Sequence, residues 1–329
     1  MRIAIDAMGG DLAPHEIVRG ACLASRLISG AEIILVGDQD KIQRCLDECK
    51  PYGSVSIVHA SQEVGMDESP VAALRSKPDS SIKKAVELVA SGDCQAALGA
   101  GNTGAAVAAC TLILRPLTGV AKPGICVTFP LEKGPCSVID VGANINCRPK
   151  DLYQYAVMAS IYSQHVLGIE KASIGLLSVG EEASKGNGLV RDTYELLKGS
   201  ALNFIGNVEG RDIHTKRSDV VVCDGFTGNI VLKVSEGLAE NLLDMLEAKF
   251  SREAFRQVPG LMRALKEMRA LRDYSEYGGA PLLGINGAFI ICHGRSGAKA
   301  IQNAVQMALR FAQNRVDQKI AESLAKVSA

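Results

Sequence analysis

The residues of this 329-residue chain that could do chemistry gather in five short polar stretches. These are Asp6–Asp11, Gly99–Gly104, Asp140–Asn144, Gly180–Gly188 and Asp224–Asn229. Each follows an apolar run and precedes a helical pattern. Glycine-rich turns ahead of helices present backbone N–H groups to anions, and open α/β sheets bind ligands outside the carboxyl ends of their strands. Five such turns on one edge of one sheet would line a crevice with N–H donors, Asn amides and a few carboxylates, a site suited to phosphate or to an acyl carbonyl. His293, ahead of Gly294, stands at one further strand end. A histidine hydrogen-bonded at a turn would fit that position as well as a functional one.

Strands alternating with helices must carry these turns. Apolar runs at 2–6, 32–36, 55–59, 96–98, 125–129, 136–141, 174–177, 204–206, 220–223 and 288–292 read as strands. Helical patterns run between most of them, including a long helix from about 230 to 249 and one C-terminal helix whose stripe continues from Ile301 to Leu324. The alternation predicts an α/β fold built on a mainly parallel sheet covered on both faces. It also predicts a single domain over residues 1–329, either undivided or as two lobes sharing one sheet. Residues 96–114 carry no charge and have the length of a membrane span, but Gly99–Gly104 interrupts them, so strand–turn–helix is the expectation.

Thirty-six basic and 36 acidic residues balance, so no overall field favours nucleic acid. The start of the chain has too short an apolar run for a signal peptide, and ten cysteines without a CxxC pair read as reduced, mostly buried thiols. A cytoplasmic protein is expected. The first turn lacks the G-x-G-x-x-G dinucleotide fingerprint; Walker A and G-x-S-x-G motifs are also absent. Neither cofactor nor metal is expected. Between 249 and 272 seven basic residues accompany an apolar stripe broken by Pro259-Gly260. This pattern fits a membrane-surface element or a core or dimer helix with a solvated basic face.

The chain resembles the bacterial phosphate acyltransferase family of phospholipid synthesis. The resemblance runs through IAIDAMGGD at 3–11, DSSI at 79–82, AGNTGA at 100–105, DVGAN at 140–144 and GLLSVGEEASKGN at 175–187. It continues in FIGNVEGRD at 204–212, CDGFTGNIVLK at 223–233 and DYSEYGGAPLLG at 273–284. Asn146 and Arg295-Ser296-Gly297 depart from the family's usual pattern. The resemblance implies transfer of a long-chain acyl group from acyl carrier protein to inorganic phosphate. It further implies a homodimer, peripheral association with the inner face of the cell membrane, and a downstream acyl-phosphate:glycerol-3-phosphate acyltransferase as a partner. The implied fold is Rossmann-like, a three-layer α/β/α arrangement related to isocitrate/isopropylmalate dehydrogenases.

For that reaction Asn102, Lys185 and His293 are the candidate catalytic residues. Gly9, Gly10, Gly101, Thr103, Gly104, Asn144, Asn187, Thr227 and Asn229 are the candidate substrate-binding residues. Asp6, Asp11, Asp140 and Asp224 are expected to fix loops by accepting N–H bonds. Val258, Leu261, Met262 and Leu265 are the candidate membrane contacts. Two other readings share parts of the pattern: a short-chain phosphotransacetylase acting on acyl-CoA, and a non-catalytic membrane-associated scaffold.

Overall fold

The computed structural model describes residues 1–28, 30–249, 260 and 278–328. The first half contains β1 (Arg2–Asp6), α1 (His15–Leu27), β2 (Glu32–Gly37), α2 (Gln39–Glu48), β3 (Val55–His59), α3 (Pro70–Ser76), α4 (Ser81–Ala90), β4 (Ala96–Gly99) and α5 (Thr103–Ala109), which runs on into a π-helical turn at Cys110–Leu114. Then come β5 (Gly124–Phe129), β6 (Cys136–Ile139), α6 (Pro149–His165), β7 (Ile174–Leu177), α7 (Gly188–Lys198), β8 (Phe204–Val208), α8 (Gly210–Thr215), β9 (Val220–Val222) and α9 (Gly225–Lys249). The chain closes with β10 (Ala280–Leu283), β11 (Phe289–Ile291), α10 (Ala298–Gln313) and α11 (Val316–Ser328).

Among the described residues eleven strands form one sheet, in the order β3-β2-β1-β4-β11-β10-β5-β6-β9-β7-β8. Strand residues alternate between two cores, as a two-fold side-chain period requires. Ile3, Ile5 and Leu35 pack beneath α1 and α10, in the core that α6 covers over β6 and β9, whereas Ala4, Ile34, Val36 and Ala97 pack under α4 and α5. Both faces are buried, so the strands read as continuous apolar runs. The result is the expected three-layer α/β/α arrangement with a mainly parallel sheet. Glu16 on α1 accepts the Ala298 N–H at 2.7 Å, supplying from another helix the anionic cap that α10 lacks locally.

Strand direction corrects one expectation. Strands β3, β2, β1, β4 and β11 run parallel to one another, and so do β6, β9, β7 and β8. Between the two blocks, β10 is antiparallel to β11 and to β5, and β5 is antiparallel to β6. The two blocks therefore point in opposite directions. The turns after β1 and β4 lie at one edge of the sheet; those after β6, β7 and β9 lie at the other. The five turns do not share an edge, because two antiparallel strands at the seam reverse the chain.

Local differences have local causes. Strand β10 has no counterpart among the strands read from sequence. Its four residues, Ala-Pro-Leu-Leu, are too short for a period and contain a proline. Helix α9 starts at Gly225 rather than near 230, so the stretch read as a turn is its first turn. The C-terminal pattern is two helices, divided at Arg315, whose φ of 50° no α-helix accommodates. Residues 96–114 are strand, turn and helix, and among the described residues no helix is long and apolar enough to cross a membrane.

Candidate active site at the seam of the sheet

A trough of about 360 Å³ crosses one face of the sheet where the two blocks meet. Ile125 and Val127 of β5, Ala280 of β10 and Ile291 of β11 form its apolar floor. Gly101, Thr103, Gly104, His293, Gly294 and Asp11 line one end; Val141, Gly142, Asn229, Leu232 and Lys233 line the other. Turns from opposite edges thus face one another across the seam. A larger depression of about 500 Å³, between α1 and α2, lies on the opposite sheet face and away from every one of these turns.

At the first end, backbone approaches backbone. A Cβ on Gly9 would lie 2.8 Å from the Gly101 Cα and 2.7 Å from Asp6 Oδ2, so only glycine fits. The buried Asp6 carboxylate accepts the Met8 N–H at 3.1 Å. Burial pushes its carboxyl above the ordinary range, opposed by the Ser81 side chain and the N–H groups of Met8 and Gly9. Asn102 caps α5, accepting the Ala105 N–H at 3.0 Å. Its amide nitrogen lies within 3.0 to 3.2 Å of the carbonyl oxygens of Gly65, Met66 and Glu68. Asn102 therefore holds the 65–68 loop, whose Met66 lines the trough, and the first-turn N–H groups of α5 are its free polar edge.

His293 follows β11. Its Nδ1 accepts the Arg295 N–H at 3.1 Å, which in a neutral ring puts the proton on Nε2 and makes that atom a donor. Cys292, the thiol of the lining, is pushed up to about 12 by burial. It stays protonated at neutral pH and is no nucleophile.

At the other end a carboxylate organises the backbone. Asp140 is fully buried and accepts N–H groups from Ile125 at 3.0 Å, Gly142 at 3.1 Å, Ala143 at 2.9 Å and Asn144 at 2.7 Å. Burial raises its carboxyl and the backbone N–H donors oppose that rise. Asn144 donates to the Pro123 carbonyl at 2.6 Å and to the Tyr155 hydroxyl at 2.9 Å, so it joins strand to helix. Asp224 takes both the N–H and the hydroxyl of Thr227, at 2.9 and 2.8 Å. Asn229, one turn into α9, stands over Gly142.

Of the residues singled out by sequence, the trough gathers Gly101, Thr103, Gly104, Asn229 and His293, with Asn102 in the same turn. Asn144 and Thr227 support its far end. Lys185 and Asn187 lie beyond β7, two strands past β6, and do not line it. Lys185 is exposed, and Asn187 caps α7 by accepting the Val190 N–H at 3.0 Å. Val258, Leu261, Met262 and Leu265 fall outside the described residues. Among the described residues no group of His, Cys, Asp or Glu is arranged to hold a metal ion. Sequence reasoning missed Lys233 and the apolar floor. Lys233 sits four residues after Asn229, a helical spacing hidden when 224–229 is read as a turn.

A model of the fatty acid synthesis protein family matches residues 1–319. The chain belongs to that family. Its relatives in the family include the phosphate acyltransferase of Desulforamulus reducens, 47% identical over 98% of this chain and 97% of that protein. Those of Trichlorobacter lovleyi, 48% identical over 99% and 95%, and Geobacter sulfurreducens, 46% identical over 98% and 94%, are similar. The same fold occurs in a phosphotransacetylase from Streptococcus pyogenes, with a TM-score of 0.64, 16% identity and 95% and 94% of the two chains covered. It recurs in a 4-hydroxythreonine-4-phosphate dehydrogenase from Klebsiella pneumoniae, at 0.56, 14%, 95% and 99%. The family thus shares a three-layer scaffold with both transferases and dehydrogenases.

Proposed function

We propose that the protein transfers a long-chain acyl group from the thioester of acyl carrier protein to inorganic phosphate, forming acyl phosphate for phospholipid synthesis. The observation that carries this reading is the near-full-length identity of 46–48% to phosphate acyltransferases. The trough fits it chemically, since polar turns at both ends flank an apolar floor able to take the start of an acyl chain.

In this reading a phosphate oxygen attacks the thioester carbonyl. The new C–O bond forms while the carbonyl oxygen takes up negative charge; collapse of that oxyanion breaks the C–S bond, and the carrier leaves as a thiolate. An alkyl thiol has a pKa of about 8.5, so departure needs little acid help. Positioning and oxyanion stabilisation suffice, without a covalent intermediate. The N–H groups of Thr103 and Gly104 and the Nε2–H of His293 supply donors to phosphate and oxyanion. Asn102 acts by holding the turn and the 65–68 loop in place. Gly9, Gly10 and Gly101 let the two turns approach; Asn144, Thr227 and Asn229 shape the far wall. The exposed Lys185, with Asn187 fixing its loop, is the cation that an acidic carrier protein meets on approach.

Phe226, Ile230, Val234, Leu238, Leu242 and Met245 form an exposed apolar stripe along α9, which supports a homodimer. The basic, apolar segment at 249–272 supports peripheral attachment to the inner membrane face, near the acyltransferase that consumes acyl phosphate. Liposome flotation of Leu261→Glu plus Leu265→Glu tests the attachment, which fails if binding is undiminished. The activity itself is tested by phosphate-dependent thiol release from palmitoyl-acyl carrier protein. Release that does not respond to phosphate contradicts it.

A further inference from the structure

We propose that Lys233 is the cation that binds a phosphoryl oxyanion in the trough, a role that rests on the acyl-transfer reading of this site. Phosphate at neutral pH carries more than one negative charge, and its tightest protein contacts are charge-assisted. Besides the buried Cys292 thiol, the titratable residues among the described lining of the trough are Asp11, His293 and Lys233. Asp11 repels an anion, and one ring nitrogen of His293 already meets the Arg295 N–H. Lys233 brings a full positive charge.

Helix periodicity delivers it. Asn229 and Lys233 are four residues apart and share one face of α9, with the buried Leu232 beside them. Gly228 pins this part of the helix: a Cβ there would lie 1.9 Å from the Asp140 carbonyl oxygen. The ammonium is therefore carried by a helix fixed to the Asp140 turn, not by a mobile loop. Glu236, one turn further on, accepts from Lys233 Nζ at 2.8 Å through Oε2, and its other oxygen is buried without a partner. Another turn on, Glu240 stands 3.8 Å from Arg295, in the loop that carries His293. The polar face of α9 thus looks across the seam at the His293 end of the trough. With one N–H engaged by Glu236, the ammonium keeps two donors for an anion.

An exposed lysine paired three residues along a helix is ordinarily a solvated pair of little consequence. What sets Lys233 apart is its place in the lining, opposite the N–H turn. The bound phosphoryl group has two sources, the inorganic phosphate acceptor and the phosphodiester of the carrier's prosthetic arm, and kinetics separates them.

The test compares wild type with Lys233→Met and Lys233→Arg, varying phosphate and palmitoyl-acyl carrier protein separately, alongside calorimetric titration of each protein with inorganic phosphate alone. Circular dichroism melting checks folding. Loss of a charge-assisted bond predicts a rise of about 10- to 100-fold in KM for phosphate in Lys233→Met, a kcat within about threefold of wild type, and recovery in Lys233→Arg. A rise instead in KM for the carrier thioester also supports the role and assigns the ammonium to the carrier's phosphodiester. Unchanged KM values for both substrates overturn it. Should wild type bind phosphate but make no acyl phosphate, the reaction reading fails. Calorimetry then still judges Lys233: weaker phosphate binding by Lys233→Met upholds it, and equal binding overturns it.

Discussion

The Asn102 side-chain nitrogen donates to the Met66 carbonyl oxygen at 3.0 Å, tying the 65–68 loop to the turn that opens α5. One residue thus caps a helix through its oxygen and fastens a neighbouring loop through its nitrogen. Both ends of that tether border the trough.

Asn102→Asp separates the two jobs. It keeps the oxygen that caps α5 but places a carboxylate against three carbonyl oxygens, whereas Asn102→Ala loses cap and tether together. Losing a cap costs about 1 kcal/mol, and Asn102→Ala should lose somewhat more on melting. Both variants should raise hydrogen exchange at 65–68. Both should lower turnover by on the order of 10²-fold if the 101–104 turn positions oxyanion donors. Near-normal turnover in both would remove the turn from the mechanism.

Gly228→Ala should be among the most damaging single changes in the chain. The added methyl would meet the Asp140 carbonyl oxygen at 1.9 Å and the Cys223 Sγ at 2.9 Å. Neither the helix start nor the Asp140 turn can yield without disturbing the N–H bonds held by Asp140. Overpacking of this kind costs about 3 kcal/mol or more. Thermal or denaturant unfolding of purified variants checks it; Gly237→Ala, in open space on the same helix, is the control and should be neutral or stabilising.

Acid should loosen the first half near the trough before the core. The Lys77 ammonium bonded to Glu68 holds that carboxyl below its ordinary 4.5. Lys84 and Ser61 hold Asp79 well below 3.8. Because the folded values lie below the unfolded ones, these groups contribute stability above about pH 4.5 that is lost as pH falls through the folded values. Both carboxylates anchor residues 61–68, the Asp79 oxygens at the Ser61 N–H and Glu68 at the Gly65 N–H. Hydrogen exchange, corrected for intrinsic rates, should rise at 61–68 as pH drops from 5 to 3, and Lys77→Met should show part of that rise at pH 7.

Much of the scaffold is legible in sequence because the rules that place it are local. Alternating apolar runs reveal ten of the strands, and Asp38 announces α2 by capping it at the Lys41 N–H, 3.0 Å away. The chemistry-bearing turns are legible for the same reason. Their grouping is not, because strand direction is a property of pairing. The antiparallel pairings of β10 and β5 at the seam, one of these strands only four residues long and carrying a proline, send the two blocks in opposite directions and move Lys185 away from Asn102. Lys233 is hidden by a boundary error, since glycines that read as turn formers at 225 and 228 are there for close packing of a helix on Asp140. The supporting roles of Asn144 and Asn102 depend on partners 21 and 36 residues away in sequence, Pro123 and Met66.

The α9 stripe should control assembly. Val234 and Leu238 are 62% and 60% exposed, one turn apart on the helix. Val234→Asp plus Leu238→Asp puts two charges into an apolar contact, and like charges facing across a two-fold interface are strongly disfavoured. Light scattering should show a dimer for wild type and a monomer for the double variant, with an unchanged circular dichroism spectrum. A wild-type monomer at micromolar concentration removes the homodimer.

The most direct measurement is product identity. Palmitoyl-acyl carrier protein, palmitoyl-CoA and acetyl-CoA are each incubated with the protein and phosphate, and acyl phosphate is trapped as the hydroxamate. Palmitoyl hydroxamate should form from the carrier thioester, in proportion to phosphate, with little from acetyl-CoA. Product from acetyl-CoA alone would make the protein a short-chain phosphotransacetylase, and no product from any thioester would contradict the acyl-transfer reading outright.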